Sequence, residues 1–387
     1  MTHFSDYQNE IYLGGLSGPA PARPLDWAEL ERRAGEHLSA GPWGYIAGAA
    51  GREQTMAANR EALDRVRIVP RMLRDVSERT LHRTVLGTAM PAPVLLAPIG
   101  VQTLAHPDGE LAAARAAAAL ELPFIASTAS SYTLEEIAKA GGGAARWYQL
   151  YWPKSRDLAA SLVGRAEAAG YSALVVTLDT WLLGWRPRDL GQAFLPFLWA
   201  EGNANYLSDP VFRSLLSAPP EENQMEAIGQ WAFQFANPAV TWDDLTWLRD
   251  QTSLPIVLKG IQHADDARLA AEHGADGLIV SNHGGRQVDG AIGSLDALPG
   301  VVDAVGDQLE VLFDSGIRGG ADALKALALG ARAVCLGRPY LWGLALGGEQ
   351  GVRDVLRAFL ADLDLAMALS GHAEVDAVGA DTVTRVS

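Results

Sequence analysis

The chain has 387 residues, 49% of them hydrophobic and 20% charged, enough for one large α/β domain with additions. A net charge of −15 argues against a nucleic-acid partner, which needs clustered Lys and Arg to neutralise phosphates. The single cysteine, Cys335, excludes an intrachain disulfide, and no apolar run is long enough to span a bilayer.

The opening stretch from Met1 to Tyr7 lacks the basic start and apolar run of a signal peptide, so a cytoplasmic location is expected. Residues 1 to 90 read as a leader that packs on the remainder of the chain, with its own helix beginning at Asp26, an N-cap before Trp27-Ala28-Glu29-Leu30, and running toward His37. Eight short apolar runs come next, at residues 94 to 98, 124 to 128, 146 to 151, 173 to 179, 255 to 260, 277 to 283, 310 to 316 and 333 to 339. Helical patterns lie between most of them, at 109 to 121, 155 to 170, 264 to 274 and 320 to 330. Such alternation implies a parallel sheet. Eight units favour a closed (β/α)8 TIM barrel over residues 91 to 387, and no Gly-x-Gly-x-x-Gly follows the first strand as a dinucleotide fold would want. Cys335, inside the eighth run, reads as a small core residue.

From 187 to 240 the repeat is interrupted between the fourth and fifth strands, too long an excursion to be a plain connection. It is rich in aromatics, Phe194, Phe197, Trp199, Tyr206, Phe212, Trp231, Phe233 and Phe235 among them. A membrane-docking segment would carry a basic face, and from Gly191 to Val240 the only basic residue is Arg213. A lid or a surface for subunit packing remains.

The polar residues that follow the strands carry the chemistry, because barrel enzymes work at the C-terminal ends of their strands. Ser281-Asn282-His283-Gly284-Gly285-Arg286 follows Gly277-Leu278-Ile279-Val280 and puts a base three residues from a guanidinium that can clamp a carboxylate. A lone histidine there would read as structural. Lys259 ends the fifth strand, either as a Schiff-base nucleophile or as a fixed positive charge. Asp314-Ser315-Gly316-Ile317-Arg318 and Gly337-Arg338 follow the seventh and eighth strands, where barrels hold phosphate.

The strings Ser281 to Arg286, Leu254-Pro255-Ile256-Val257-Leu258-Lys259-Gly260 and Lys325-Ala326-Leu327-Ala328-Leu329-Gly330-Ala331 resemble the FMN-dependent α-hydroxy acid oxidase and dehydrogenase family. The resemblance continues through Arg146-Trp147-Tyr148-Gln149-Leu150-Tyr151 and Met367-Ala368-Leu369-Ser370-Gly371, and so covers nearly the whole chain. Within the family it is strongest to the lactate 2-monooxygenase branch, through Asp6-Tyr7-Gln8-Asn9-Glu10-Ile11-Tyr12, Ala97-Pro98-Ile99-Gly100 and the segment from Thr177 to Leu190.

The resemblance implies FMN as cofactor, no metal, a lactate-like 2-hydroxy acid and O2 as substrates, and a homo-oligomer, tetramer or octamer. It makes His283 the base and Asp179 the stabiliser of its imidazolium, with Arg186 and Arg286 on the substrate carboxylate and Tyr45 and Tyr151 on carboxylate and hydroxyl. Around FMN it places Pro98, Ile99, Gly100, Ser127, Gln149, Thr177, Lys259 and Ser281, then Asp314 toward the ribityl chain and Ser315, Gly316, Ile317, Arg318, Gly337 and Arg338 toward the phosphate. Ser127 and Thr177 also read as ordinary strand hydroxyls. The products implied are acetate, CO2 and water, whereas an ordinary oxidase would release the keto acid and H2O2. Two departures bear on substrate size: Gly100 stands where many oxidases have alanine, and Ala129 where glycolate oxidase has tryptophan. Other classes open to the bare motifs are a Schiff-base aldolase on Lys259 and a non-catalytic flavin-binding barrel.

Overall fold

The computed structural model describes residues 3–16, 18 and 21–386; Met1 and Thr2 of the opening stretch lie outside the described residues. Each of the eight apolar runs forms a strand: β1 (Val94–Leu96), β2 (Phe124–Ser127), β3 (Arg146–Leu150), β4 (Leu174–Thr177), β5 (Ile256–Ile261), β6 (Gly277–Val280), β7 (Glu310–Phe313) and β8 (Val334–Leu336). All pair in parallel in chain order. β8 closes on β1 through Val334↔Val94, Cys335↔Leu95 and Leu336↔Leu96, which makes a (β/α)8 barrel. Most strands stop short of the runs because the last residues of each run turn into the polar loops at the C-terminal rim.

Period-two alternation divides the core in two. Leu95, Ile125, Trp147, Val175, Val257, Ile279, Leu312 and Cys335 fill the barrel interior. Their neighbours, such as Val94 and Leu96, face the surrounding helices. A hairpin of Arg83–Val85 and Thr88–Met90 stoppers the N-terminal end. Val85 and Met90 join the interior there, and Trp147 Nε1 donates to Thr88 Oγ1 at 3.0 Å. The opposite, C-terminal rim stays open.

The leader is more structured than its sequence suggests. The helix begun by Asp26 spans Trp27–His37, with the Asp26 carboxylate accepting from Glu29 N at 2.8 Å. Asp6–Gly14, Ala40–Ala47 and Gln54–Asp64 are helices too, and Val66–Ile68 pairs antiparallel with Val383–Arg385 at the far end of the chain. A helical run over Arg338–Leu369, broken at Gly347 and Gly348, also goes beyond the sequence pattern.

Within the excursion are short helices over Pro187–Leu190, Ala204–Leu207 and Pro210–Ser214, a 3-10 turn at Pro196–Trp199 and a longer helix, Gln224–Phe235. Asn205, fully buried, fastens it to the barrel. The Asn205 amide donates to the carbonyls of Ser127 (3.3 Å) and Thr128 (3.1 Å) and to Ser130 Oγ (2.9 Å), and its oxygen accepts from Leu134 N (2.8 Å). No helix among the described residues is long and apolar enough to cross a membrane.

Candidate active site

The C-terminal rim opens into a cleft with about 1070 Å³ of empty space, open solvent at its mouth included. The loops after β4, β6, β7 and β8 supply its charged walls, in keeping with where a parallel barrel collects chemistry. Tyr45, Pro98, Ile99, Gly100, Tyr151, Arg186, Lys259, His283, Arg286, Asp314, Ser315, Gly316, Ile317, Arg318, Gly337 and Arg338 all line it. Ser127, Gln149, Thr177, Asp179 and Ser281 do not line the open cleft. Their side chains are largely buried at strand ends, and four of the five are engaged with neighbouring strands or loops.

His283 sits in a tight turn after β6 with φ 57°, a backbone conformation that costs energy for any residue but glycine. The turn is held by the leader. Asn59 Nδ2 donates to Asn282 Oδ1 at 2.8 Å and Asn282 Nδ2 donates back to Asn59 Oδ1 at 2.7 Å, both amides buried. Gly285 (φ 79°) packs on the start of the Gln54–Asp64 helix, where a Cβ would lie 2.6 Å from Met56 N. Only glycine fits that position.

His283 Nδ1 lies 2.7 Å from Asp179 Oδ1. An ionised carboxylate only accepts, so Nδ1 carries the proton and Nε2 keeps its lone pair. Burial pushes His283 below the ordinary imidazole range, Asp179 pulls it up, and Lys259 and Arg186 push it down again. Burial alone would raise the Asp179 carboxyl, but Lys259 and His283 hold it well below the usual carboxylate range. Lys259 Nζ donates to Ser281 Oγ at 2.9 Å and lies 3.5 Å from Asp179 and 3.6 Å from Asp314. Burial lowers its affinity for a proton, and the two carboxylates more than restore it. Lys259 is therefore a fixed ammonium, and the free amine that a Schiff base requires is missing.

Four arginines face the cleft, and none forms an ion pair among the described residues. Arg186 donates to the Arg286 carbonyl (3.0 Å) and to Gln287 Oε1 (2.6 Å). Burial, with Arg286 beside it, lowers its pKa to about 10. Arg286 donates to the carbonyls of Tyr45 and Gly48 and lies over the Tyr45 ring. Arg338 donates to the carbonyls of Ile46, Gly284 and Gly48, and burial and the neighbouring Arg286 and Arg318 bring it down to about 9. Arg318 lies over Trp342 and is lowered in the same way by burial. Buried guanidiniums without carboxylates are poised for anions.

The residues present fit a phosphorylated, planar, polar-edged cofactor. Arg318 and Arg338 supply charge for a phosphate after β7 and β8. Between β2 and β3, Ser127 Oγ donates to Gln149 Oε1 at 2.7 Å, which leaves the buried Gln149 Nε2 with no partner in the protein. A buried donor left over at a strand end is free to meet an acceptor on such a group.

Thr180, Gln287 and Asn59 carry no signal in the sequence that marks them as site residues. Gln287 ties Arg186 to the carbonyls of Asp179 and Leu182, both at 2.8 Å. Phe197 and Phe235, legible in the sequence only as aromatics of the excursion, line the cleft. Gly100 lines the cleft, and a Cβ there would lie 2.6 Å from the Ala129 carbonyl oxygen, so the missing methyl also serves close backbone approach between the loops after β1 and β2.

An eight-stranded parallel barrel whose C-terminal cleft gathers a histidine–aspartate pair, a buried lysine and four arginines without ion pairs has the make-up of an enzyme site for anionic ligands. A family model described as FMN-dependent dehydrogenase matches residues 34–385, and the chain belongs to that family, with FMN as its cofactor. It is 45% identical over 386 residues to an L-lactate oxidase of Lysinibacillus sphaericus (strain C3-41), covering 100% of this chain and 98% of the relative. It is 43% identical over 353 residues to 2-hydroxyacid oxidase 1 of Homo sapiens, covering 90% and 94%. A crystal structure of mandelate oxidase matches with a TM-score of 0.83 at 40% identity, covering 94% of this chain and 98% of that one. FMN-dependent 2-hydroxy acid oxidation is the activity common to these relatives and this site.

Proposed function

We propose that the chain oxidises a small (S)-2-hydroxy acid of lactate's size and holds the keto acid until H2O2 decarboxylates it. The observation that carries the first part is the convergence of a proton-accepting His283 with Arg186 and Arg286, two guanidiniums that have no carboxylate of their own.

FMN, when bound, accepts two electrons from the hydroxy acid and returns them to O2, giving H2O2. The residues that would hold it are Pro98, Ile99, Gly100, Ser127, Gln149, Thr177, Lys259 and Ser281 at the ring, and Asp314, Ser315, Gly316, Ile317, Arg318, Gly337 and Arg338 along the chain and phosphate. Arg186 and Arg286 bind the substrate carboxylate as a clamp, and Tyr45 and Tyr151 donate to carboxylate and hydroxyl oxygens. Tyr151 remains a phenol because burial raises its pKa. Nε2 of His283 takes the hydroxyl proton, and Asp179 stabilises the imidazolium.

The side chain of the acid meets Ala129, Phe197 and Phe235, apolar walls that suit an alkyl group. Phe197 stacks on Trp231 at 4.6 Å, and Tyr151 meets Phe235 at 4.9 Å, so the excursion roofs the position. A roof supports retention of pyruvate, which with H2O2 gives acetate, CO2 and water. Release of pyruvate and H2O2 is the second reading, favoured by the lactate oxidase relatives. Leader, barrel and excursion all supply cleft residues, and we read them as one functional unit.

The test is anaerobic mixing with L-lactate, then air and product analysis. The wild type should bleach and return acetate and CO2. His283→Ala should keep FMN and lose bleaching by about 10²- to 10⁴-fold. Bleaching near the wild-type rate in that variant would overturn the role of His283, and pyruvate with stoichiometric H2O2 from the wild type would select the second reading.

A further inference from the structure

Thr180 follows Asp179 in the loop after β4, is 4% exposed and lines the cleft. Its hydroxyl lies 2.8 Å from Asp179 Oδ1 and 3.0 Å from His283 Nδ1, while Nδ1 itself lies 2.7 Å from the same Oδ1. One carboxylate oxygen thus serves two donors. The other, Oδ2, is buried with no hydrogen bond and meets only the ammonium of Lys259 at 3.5 Å. The imidazole proton takes the shorter path to Oδ1, and the carboxylate has no proton to give, so the threonine hydroxyl must donate.

We propose that Thr180 is a positioning residue that limits the basicity of His283 by occupying the carboxylate oxygen on which the imidazolium depends. A hydrogen bond to an ionised group weakens that group as an acceptor for anything else. Asp179 therefore orients His283 without making it a permanent cation. This matters because an imidazole that takes a proton and must surrender it within one turnover works best near the working pH. The charged and titratable groups facing His283 are Asp179 from the loop after β4, Lys259 from β5 and Arg186 beyond Asp179, with Tyr151 and Arg286 on the same cleft. Thr180 alone among the contacts of Nδ1 can be changed without altering charge. The inference rests on His283 being the base.

The test compares Thr180→Val, of equal volume without the hydroxyl, with Thr180→Ser, which restores it. Two readouts are followed on the FMN-loaded enzyme: the acidic limb of kcat/KM, and the titration of His283 by NMR of histidine-labelled protein, its signal among the eight histidines assigned by its loss in His283→Gln. The valine variant should raise both midpoints by about one pH unit, since a hydrogen bond to a charged group is worth about that much. The serine variant should return them to the wild-type position. Slower turnover with unmoved midpoints, or a downward shift, would overturn the proposal and leave Thr180 a packing residue. If His283→Gln still reduces its flavin at the wild-type rate, the base reading fails instead, and the NMR midpoints still decide what Thr180 does.

Discussion

The leader and the excursion both reach the cleft, by different physics. Leader residues act through hydrogen bonds of fixed geometry: the paired amides of Asn59 and Asn282, Ala50 N to the Gly285 carbonyl (2.9 Å), Thr55 Oγ1 to the Val288 carbonyl (2.7 Å), and Asp289 accepting from Arg52 N and Gln54 N. The excursion touches the cleft through rings, Phe197 against Tyr45 and Phe235 against Tyr151, and its hydrogen bonds to the barrel lie outside the cleft, at Asn205, Asp209 and Gln234 among others. Directional bonds fix a strained turn to a fraction of an ångström, whereas stacked rings exclude water and slide. On the proposed function, the leader would set the geometry of the reaction and the excursion would govern what stays inside.

The largest effect should come from breaking the Asn59–Asn282 pair. Asn59→Ala removes both bonds to the Asn282 amide, leaving it only the Ile292 carbonyl and Gly285 N, takes the acceptor from the buried Ser294 N, a loss of about 1–3 kcal/mol, and loosens a turn held at positive φ. Misplacing a catalytic group by an ångström costs about 10²-fold in rate, so flavin reduction should fall by about that factor while FMN stays bound. Reduction at the wild-type rate, measured anaerobically by stopped flow, would mean that the leader is only a cover.

Phe197→Ala tests the other side. Reduction should change only a few-fold, while the product balance moves from acetate and CO2 toward pyruvate and H2O2. An unchanged balance in a folded, flavin-loaded variant would place retention outside the ring cluster.

The barrel was legible because strands buried on both faces leave uninterrupted apolar runs, each ended here by polar loop residues. The rim positions of His283, Arg286, Lys259 and the loops after β7 and β8 could be read for the same reason, since each lies at or just beyond the end of its strand. The Asn59–Asn282 pair could not. Asn59 lies 223 residues from Asn282, in a helix of modest amphipathicity, and nothing local in either segment announces the pairing. Thr180 carries no local signal either, because what sets it apart is which oxygen of Asp179 it meets. The fastening of the excursion by Asn205 was hidden for a similar reason: asparagine in a Gly- and Asn-rich stretch reads as loop.

A smaller effect is expected from Gly100→Ala. The added methyl meets the Ala129 carbonyl oxygen at 2.6 Å, so the loops after β1 and β2 must separate, and overpacking of this kind costs about 1–3 kcal/mol. Thermal unfolding should shift down. If instead stability holds and H2O2 yield rises, the methyl has found room toward the cleft and Gly100 belongs with the excursion as a retention device.

The smallest effect on turnover, and the sharpest on pH, concerns Glu110, which ties the same two loops. Its Oε1 accepts from Gln102 N (3.0 Å) and Ser131 N (3.1 Å), its Oε2 is buried without a partner, and no cation pairs with it among the described residues. Burial raises its pKa from 4.5 to about 7, only partly opposed by those backbone bonds, with Glu201 of the excursion adding to the rise. In this window the folded chain holds a proton that the unfolded chain has lost. Stability from this group is therefore complete below pH 4.5, declines as pH rises toward about 7, and is lost above it. Glu110→Gln keeps an acceptor oxygen and removes the ionisation. Its unfolding temperature relative to wild type should rise between pH 5 and pH 8, while lactate turnover at pH 6 changes only a few-fold. A stability difference that is flat across that range would show that Glu110 carries no titration there, and that the two loops are tied by its geometry alone.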